Sequence, residues 1–408
     1  MTATITFFPV GNGDMTLVSL ADASETKILL DCNIRDAADD PADDTRDVAK
    51  DLRNRLKRDA NGRPYVDAFL LSHPDQDHCN GLAKHFYLGD PAYYPDDREP
   101  DATKRILIRE LWSSPMVFRR ASKEHTLCDD AIEFNSEAKR RVKVNRDKAF
   151  IGVDAGNRIL ILGEDEDGKT DDLKPILVPV DTTFNRVNGS YSQCFDARLL
   201  APVPRSDDDT EETLSKNHSS TILNMAIAAG PTGSAVRQFL TAGDAEVAIW
   251  ERLWEKHQRN RAVLEYDLLQ SPHHCSWHSL SYDSWSELHE DAEVSESARS
   301  ALSQIRSRGI IVASSDSIED DDIDPPCWGA KLEYEAIARK AGGNFFCTGE
   351  YPDADAPAPL EFSISDQGLR HLVRKAALSG SLLRPSAAAS AFAFPNKPVV
   401  PNKPAGFA

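Results

Sequence analysis

The chain has 408 residues, 40% of them hydrophobic, with 47 lysines and arginines against 66 aspartates and glutamates, a formal net charge of −19. So acidic a protein is a poor general binder of polyanions, because phosphate recognition rests on neutralising cations. No run approaches the ~18 apolar residues of a membrane span, and the first residues lack the basic and apolar regions of a signal peptide. Seven scattered cysteines without a C-x-x-C pair point to a reducing compartment, read as the cytoplasm, rather than to a disulfide framework.

In chain order, strand patterns at Ile5 to Val10, Thr16 to Leu20 and Lys27 to Leu30 precede an amphipathic helix over about Arg46 to Arg58, with Val48, Leu52 and Leu56 on one face. A short buried strand, Tyr65 to Leu71, then ends in "SHPDQDHCNG", which packs His73, Asp75, Asp77 and His78 into one turn. Neighbouring carboxylates repel and resist ionisation, and a divalent cation reverses that penalty, so the cluster predicts a metal site. From about 89 to 157 runs a segment with Pro-rich loops and a helix around Asp129 to Val142, read as an insertion beside that site. Strands follow at Arg158 to Leu162, Phe195 to Pro202, Ser220 to Ala228 and Val236 to Ala242. A helix over about Ala245 to His257 and a strand at Tyr266 to Gln270 lead into a second polar cluster, "SPHHCSWHS". The second half therefore repeats the strand, loop and helix order of the first. Beyond Ser379 the chain is rich in Ala, Ser and Pro and reads as a flexible tail, 379–408, after a folded domain, 1–378.

Charge is unevenly spread. Acidic runs at Glu164 to Asp167, Asp207 to Glu212 and Glu319 to Asp324 read as solvated loops. Basic density collects at Lys139 to Lys148 and Lys256 to Arg261. Lys139, Arg140 and Arg141 are candidate substrate-guiding residues, the alternative being a soluble helix face.

The turn His73-Pro-Asp75-x-Asp77-His78, followed by Gly81, resembles the signature of the metallo-β-lactamase superfamily, with Asp75 where the second histidine usually stands. That variant is similar to the branch typified by the nuclease-like domain of the competence protein ComEC. "FFPVGNGDMTLV" (Phe7 to Val18), "ILLDCN" (Ile28 to Asn33), "NHSSTIL" (Asn217 to Leu223), "FLTAGD" (Phe239 to Asp244), "LLQSPHHCSWHS" (Leu268 to Ser279), "GIIVASS" near 310 and "FFCTGE" near 346 follow in the branch's order. The resemblance implies an α/β fold of αββα sandwich type. It implies one or two divalent ions, Zn²⁺ or Mn²⁺, with His73 and Asp75 at one position, Asp77 and His78 at the other, and Asp244 bridging. A further ligand is His273 or His274, with His274 preferred because it precedes the family's usual Gly, here Cys275. His218 lies where many relatives supply a third histidine; a hydrogen-bonding role stays open for it. Asp31 is expected to hold a ligating histidine in its tautomer and Asp14 to line the pocket. Asp77 would also orient the attacking water, and His278 is the candidate proton donor to the leaving oxygen, an ordinary loop histidine being the alternative. The implied function is a metal-dependent hydrolase, a phosphodiesterase or nuclease acting on nucleic acid, in a bacterial defence system with protein partners from the same operon. The alternatives are a phosphodiesterase of small cyclic or mononucleotides, and a complex-forming regulatory protein with a vestigial site.

Overall fold

The computed structural model describes residues 2–121, 126–203, 214, 216–230 and 234–373. The tail at 379–408 and the acidic run at Asp207 to Glu212 lie outside the described residues. Residues Met1–Leu372 form one compact unit.

The first half contains strands β1 (Thr4–Phe7), β2 (Thr16–Ser19) and β3 (Lys27–Leu30), helix α1 (Val48–Arg53), strand β4 (Pro64–Leu70), the one-turn helix α2 (Gln76–Cys79), strand β5 (Ile106–Ser113), helix α3 (Asp129–Asp147) and strand β6 (Arg158–Leu162). The second half contains β7 (Phe195–Ala201), β8 (Ile222–Ala228), β9 (Val236–Leu240), α4 (Val247–His257), β10 (Tyr266–Gln270), α5 (Glu296–Leu302), β11 (Ile305–Ala313), α6 (Trp328–Lys340), β12 (Asn344–Cys347), β13 (Leu360–Ser365) and β14 (Gly368–His371). The segment 89–157 thus supplies β5, which pairs with β4 and β6 inside the first sheet, and α3, which covers them.

Two sheets result. The first runs β14-β13-β1-β2-β3-β4-β5-β6 and the second β7-β8-β9-β10-β11-β12, with short edge pieces beyond β6 and β7. In each, a run of antiparallel strands turns into parallel pairing: β14-β13-β1-β2-β3 then β3-β4-β5-β6, and β7-β8-β9 then β9-β10-β11-β12.

Alternation along the strands explains the layering, since successive side chains point to opposite faces. Ile28, Leu30, Ala68 and Leu70 meet Leu199, Leu223, Phe239, Leu268, Ile310 and Val312 in a core between the sheets, where Phe7 and Phe239 contact edge to face at 5.9 Å. The intervening Leu29 and Phe69 face outward onto Val48 and Leu52 of α1 and Phe134 of α3. On the far side Leu240, Leu269 and Ile311 pack under Trp250 of α4, Leu302 of α5 and Tyr334 of α6. Burying each such side chain contributes roughly 1.5–3 kcal/mol. Helix, sheet, sheet and helix make the four-layer sandwich that the sequence resemblance implies. No helix among the described residues is long and apolar enough to cross a membrane.

Candidate metal centre

Parallel strands bring their carboxyl ends, and the loops that follow, to one edge of a sheet. Asp31 follows β3, His73 to His78 follow β4, Asp244 follows β9 and His273 and His274 follow β10, so all the donors predicted at these positions converge on one rim shared by the two sheets.

Backbone contacts lock the loops together. Asp14 N–H donates to the carbonyl of Asp77 (3.1 Å) and His273 N–H to the carbonyl of Gly243 (2.9 Å). Gly13 is required because a Cβ there would lie 2.1 Å from Asn33 Nδ2 and 2.7 Å from the Asp77 carbonyl oxygen. His273, His274 and Cys275 all have positive φ, at 50°, 52° and 70°. Three consecutive left-handed residues without a glycine cost on the order of 1–3 kcal/mol each, and such strain persists only where surrounding structure imposes it.

The ring tautomers follow from their outer partners. His78 Nδ1 donates to Asp31 Oδ2 at 2.8 Å, while Asp31 Oδ1 accepts from Ser72 N–H at 2.6 Å. His274 Nδ1 lies 3.1 Å from the carbonyl oxygen of Ser314, which can only accept. Both neutral rings therefore present a bare lone pair at Nε2. Those two atoms face each other at 3.2 Å, and Asp244 Oδ1 lies 2.9 Å from His78 Nε2 and 3.4 Å from His274 Nε2. Asp77 Oδ2 is 3.1 Å from His274 Nε2. Lone pairs and carboxylates pointed inward at one another are costly unless a proton or a cation lies among them, and the cluster could hold a metal ion.

The other oxygen of Asp244 serves a second group. Oδ2 lies 3.4 Å from His73 Nε2 and 3.7 Å from His273 Nε2, and His73 Nε2 is 3.7 Å from Asp75 Oδ2. His73 Nε2 and Asp244 Oδ1 are buried without a hydrogen-bond partner, as is Asp14 Oδ1. Asp14 faces the Nδ1 edges of His78 (3.8 Å) and His274 (3.6 Å), behind the rings as seen from Asp244. Donor atoms of Asp14, His78, Asp244 and His274 nevertheless all lie within 4.8 Å of one another, and all four residues are buried. The residues fit divalent metal. Around the rings six carboxylates (Asp14, Asp31, Asp75, Asp77, Asp244 and Glu246) meet one ammonium, that of Lys216, so with neutral imidazoles the surplus charge is negative and suits divalent cations.

Burial alone would raise the carboxyl of Asp244, but His78, His274, His73 and His273 hold it well below the usual range. The same pairing, led by Asp244 and opposed by burial, raises His78 and His274 above the ordinary histidine value. For Asp75, His73 and Lys216 outweigh burial and lower its carboxyl.

A four-layer sandwich with donor loops from equivalent edges of both sheets, and an aspartate shared between them, settles the architecture. It is the αββα sandwich that the sequence resemblance to the metallo-β-lactamase superfamily implies. No family model and no curated protein sequence matches the chain. Similar solved structures include the metallo-β-lactamase MIM-1 from Novosphingobium pentaromativorans, at 12% identity and TM-score 0.29 over 73% of this chain and 86% of that one. Another is a long-form RNase Z from yeast, at 10% identity and TM-score 0.31, over 83% of this chain and 43% of that one.

Some expected residues stand apart from the cluster. His218 meets Glu246 at 3.5 Å, and Glu246 in turn lies 4.0 Å from His273 Nδ1 and accepts from Asn217 Nδ2 at 2.9 Å. His278 is half exposed and lies 4.0 Å from Asp324 rather than against the donors. Arg141 is buried in the contact between α3 and the sheet, with its guanidinium committed to Glu137 (2.6 Å) and the carbonyls of Arg158 and Ile108 (3.0 Å each). Arg140 pairs with Glu137 (2.7 Å) and Asn157 (2.7 Å), and Lys139 is exposed. These three begin nine residues along α3 from Asp130, whose carboxylate accepts from Gly81 N–H and Ala83 N–H beside the motif turn. At ~1.5 Å per residue that is roughly 14 Å away. Arg140 and Arg141, expected to guide substrate, make these packing contacts in the structure. In the other basic segment Lys256 pairs with Asp181, and Arg261 lies over the Trp254 ring.

Two participants escaped sequence reasoning. Lys216 sets its ammonium against Asp75, and Glu246 links His218 to His273. The signals were present as a cation directly before "NHSS" and an acid two residues after Asp244.

Proposed function

We propose that the chain is a metal-dependent phosphodiesterase acting on nucleic acid. The observation that carries this reading is Asp244, whose two oxygens face two different sets of imidazoles drawn from both halves of the fold. His73, Asp75 and His273 would hold one ion and Asp77, His78 and His274 the other, with Asp244 common to both. Bound there, divalent ions supply Lewis-acid activation of water and neutralise charge developing on phosphoryl oxygens. A donor set mixing imidazoles with several carboxylates suits Mn²⁺ as well as Zn²⁺.

The chain's own residues do the rest. Asp31 and the Ser314 carbonyl fix the tautomers of His78 and His274, keeping Nε2 free to ligate. Asp77 is the most open carboxylate of the group, its side chain 36% exposed against 18% for Asp75 and 2% for Asp244, so it is placed to orient the attacking water and take its proton. Lys216, partly exposed, offers a compact positive charge to a phosphate oxygen. Residues 1–378 would form the catalytic domain, with 89–157 as its insertion.

One observation favours a smaller substrate. Arg140, Lys143, Arg146 and Lys256 are each paired with a carboxylate, which weakens the two basic segments as tracks for a polymer's backbone. The test is a panel of single- and double-stranded DNA, RNA, cyclic dinucleotides and a small chromogenic phosphodiester, assayed with Mn²⁺ or Zn²⁺ in wild type and Asp77→Asn. Metal-dependent cleavage of polymers that Asp77→Asn abolishes supports the nuclease. Cleavage confined to the cyclic dinucleotides moves the substrate to the small class, and no cleavage of any diester rejects the phosphodiesterase reading.

A further inference from the structure

Two free cysteines meet beside the metal motif. Cys79, the last residue of α2 and the neighbour of His78, has its sulfur 3.5 Å from that of Cys128. Cys128 is the N-cap of the 19-residue helix α3, with extended φ and ψ of −67° and 162°. The two cysteines differ in access: Cys79 is fully buried and Cys128 is partly exposed. Asp130, in the first turn of α3, already binds the backbone that leaves α2 through Gly81 N–H (2.9 Å) and Ala83 N–H (2.8 Å). The amino end of α3 is thus docked on the metal-binding turn by these hydrogen bonds and by a shared apolar core containing Cys79, Leu82, Ala131 and Phe134, with no covalent link.

We propose that Cys79 and Cys128 form a peroxide-responsive disulfide that ties the metal-binding turn covalently to the start of α3. Cys128 reacts first, because it is the sulfur a small oxidant can reach and because the helix amino end favours its thiolate. The thiolate attacks one oxygen of hydrogen peroxide; the O–O bond breaks, and after protonation Cys128 is a sulfenic acid and the other oxygen leaves as water. The Cys79 sulfur then attacks the Cys128 sulfur, an S–S bond forms, the S–O bond breaks, and the hydroxyl leaves as water with the Cys79 proton. The pair has lost two electrons to one peroxide. Closing from 3.5 Å to a bonded ~2.05 Å needs a movement of only ~1.5 Å. It also removes the hydrogen bond that the Cys79 thiol gives the Asp75 carbonyl at 3.1 Å, so the bond is made at the expense of a contact inside the motif turn.

The test treats the full-length protein with hydrogen peroxide, blocks remaining thiols and maps crosslinked peptides by mass spectrometry. Wild type should give a linked pair containing Cys79 and Cys128. Cys128→Ser should leave Cys79 a thiol, and Cys79→Ser should carry Cys128 on to sulfenic and sulfinic acid. In the crosslinked wild type, amide exchange over residues 76–83 should slow several-fold. Sulfinic acid at Cys128 of wild type without a crosslink, or Cys128 untouched while surface methionines oxidise, overturns the disulfide. A crosslink that leaves exchange at 76–83 unchanged overturns the clamp. None of these readings depends on the substrate.

Discussion

Zinc added to the metal-free chain should release close to two protons per molecule at neutral pH. Without metal, the inward-facing carboxylates recruit protons onto the imidazoles. His73 is pushed up to about 9: burial and the neighbouring His78 pull it down, and the carboxylates of Asp244 and Asp75 outweigh both. Two units above pH 7, about 99 of 100 molecules carry that proton. His78 and His274 are raised too, but their Nε2 atoms lie 3.2 Å apart, so a proton on one excludes a proton on the other and the pair holds one. Asp77 and Asp244 are held below the usual carboxylate range and have no proton to give. The sign follows: protons on raised histidines compete with metal, so apparent affinity climbs with pH, and the share due to His73 levels off as pH passes about 9. With two protons displaced, the climb is on the order of 10²-fold per pH unit below neutrality. Calorimetric titration in buffers of different ionisation enthalpy reads the number directly. A heat that does not depend on the buffer would refute the tautomers assigned here and the metal position between the two rings.

Asp77→Asn should keep the fold and cut hydrolysis by a factor on the order of 10²–10⁴, the cost of losing a positioned proton acceptor; equal turnover of a small chromogenic diester would place the activity elsewhere. Asp31→Ala should lower metal affinity by roughly 10–100-fold, because His78 loses the acceptor that fixes its tautomer; competition against a chelator measures it. Arg141→Met should destabilise the chain by about 3 kcal/mol in denaturant unfolding, since Glu137 stays buried and keeps only Arg140 as its partner. Adding Glu137→Leu should recover much of that loss, and a double variant as unstable as the single one would mean that Arg141 acts through its carbonyl contacts instead.

The individual strands were legible from their apolar patterns and from the turn chemistry at their ends, which alone give only an α/β chain; the four layers came from the motif resemblance. Ile28 to Leu30 and Ala68 to Leu70 send every second side chain to each side of a sheet, and that period is visible in one dimension. Strand β5 was hidden within the segment read as an insertion. Its sequence, "ILIRELWS", carries Arg109 and Glu110 in the middle, which a local reading takes for solvent. Most of their partners are remote: Arg109 stacks on Tyr65 and binds Asp67 at 3.2 Å, while Glu110 accepts from the Asn188 amide at 2.9 Å as well as from nearby Trp112 Nε1 at 2.9 Å. The same limit hid the contacts of Lys216 with Asp75 and of Glu246 with His273. A charge's partner is a property of the fold, whereas the chain records only the charge.

The two halves also explain why equivalent positions ended with different chemistry. Asp31 and Asp244 each follow the last antiparallel strand of their sheet, and each is followed in the next parallel strand's exit loop by histidines. Asp31 spends one oxygen on the Ser72 amide and the other on the outer nitrogen of His78, so its carboxylate is turned to the back of the rings. At Asp244 the anchoring is reversed: its own amide donates to Ser220 Oγ at 3.0 Å, which leaves both carboxylate oxygens free to face inward. One aspartate orients and the other is available to bridge. Because the rings that surround Asp244 come from His73 and His78 in one half and His273 and His274 in the other, no single half can assemble the donor set. Metal binding is therefore available only to the closed sandwich, and whatever stabilises the junction of the halves also stabilises the site.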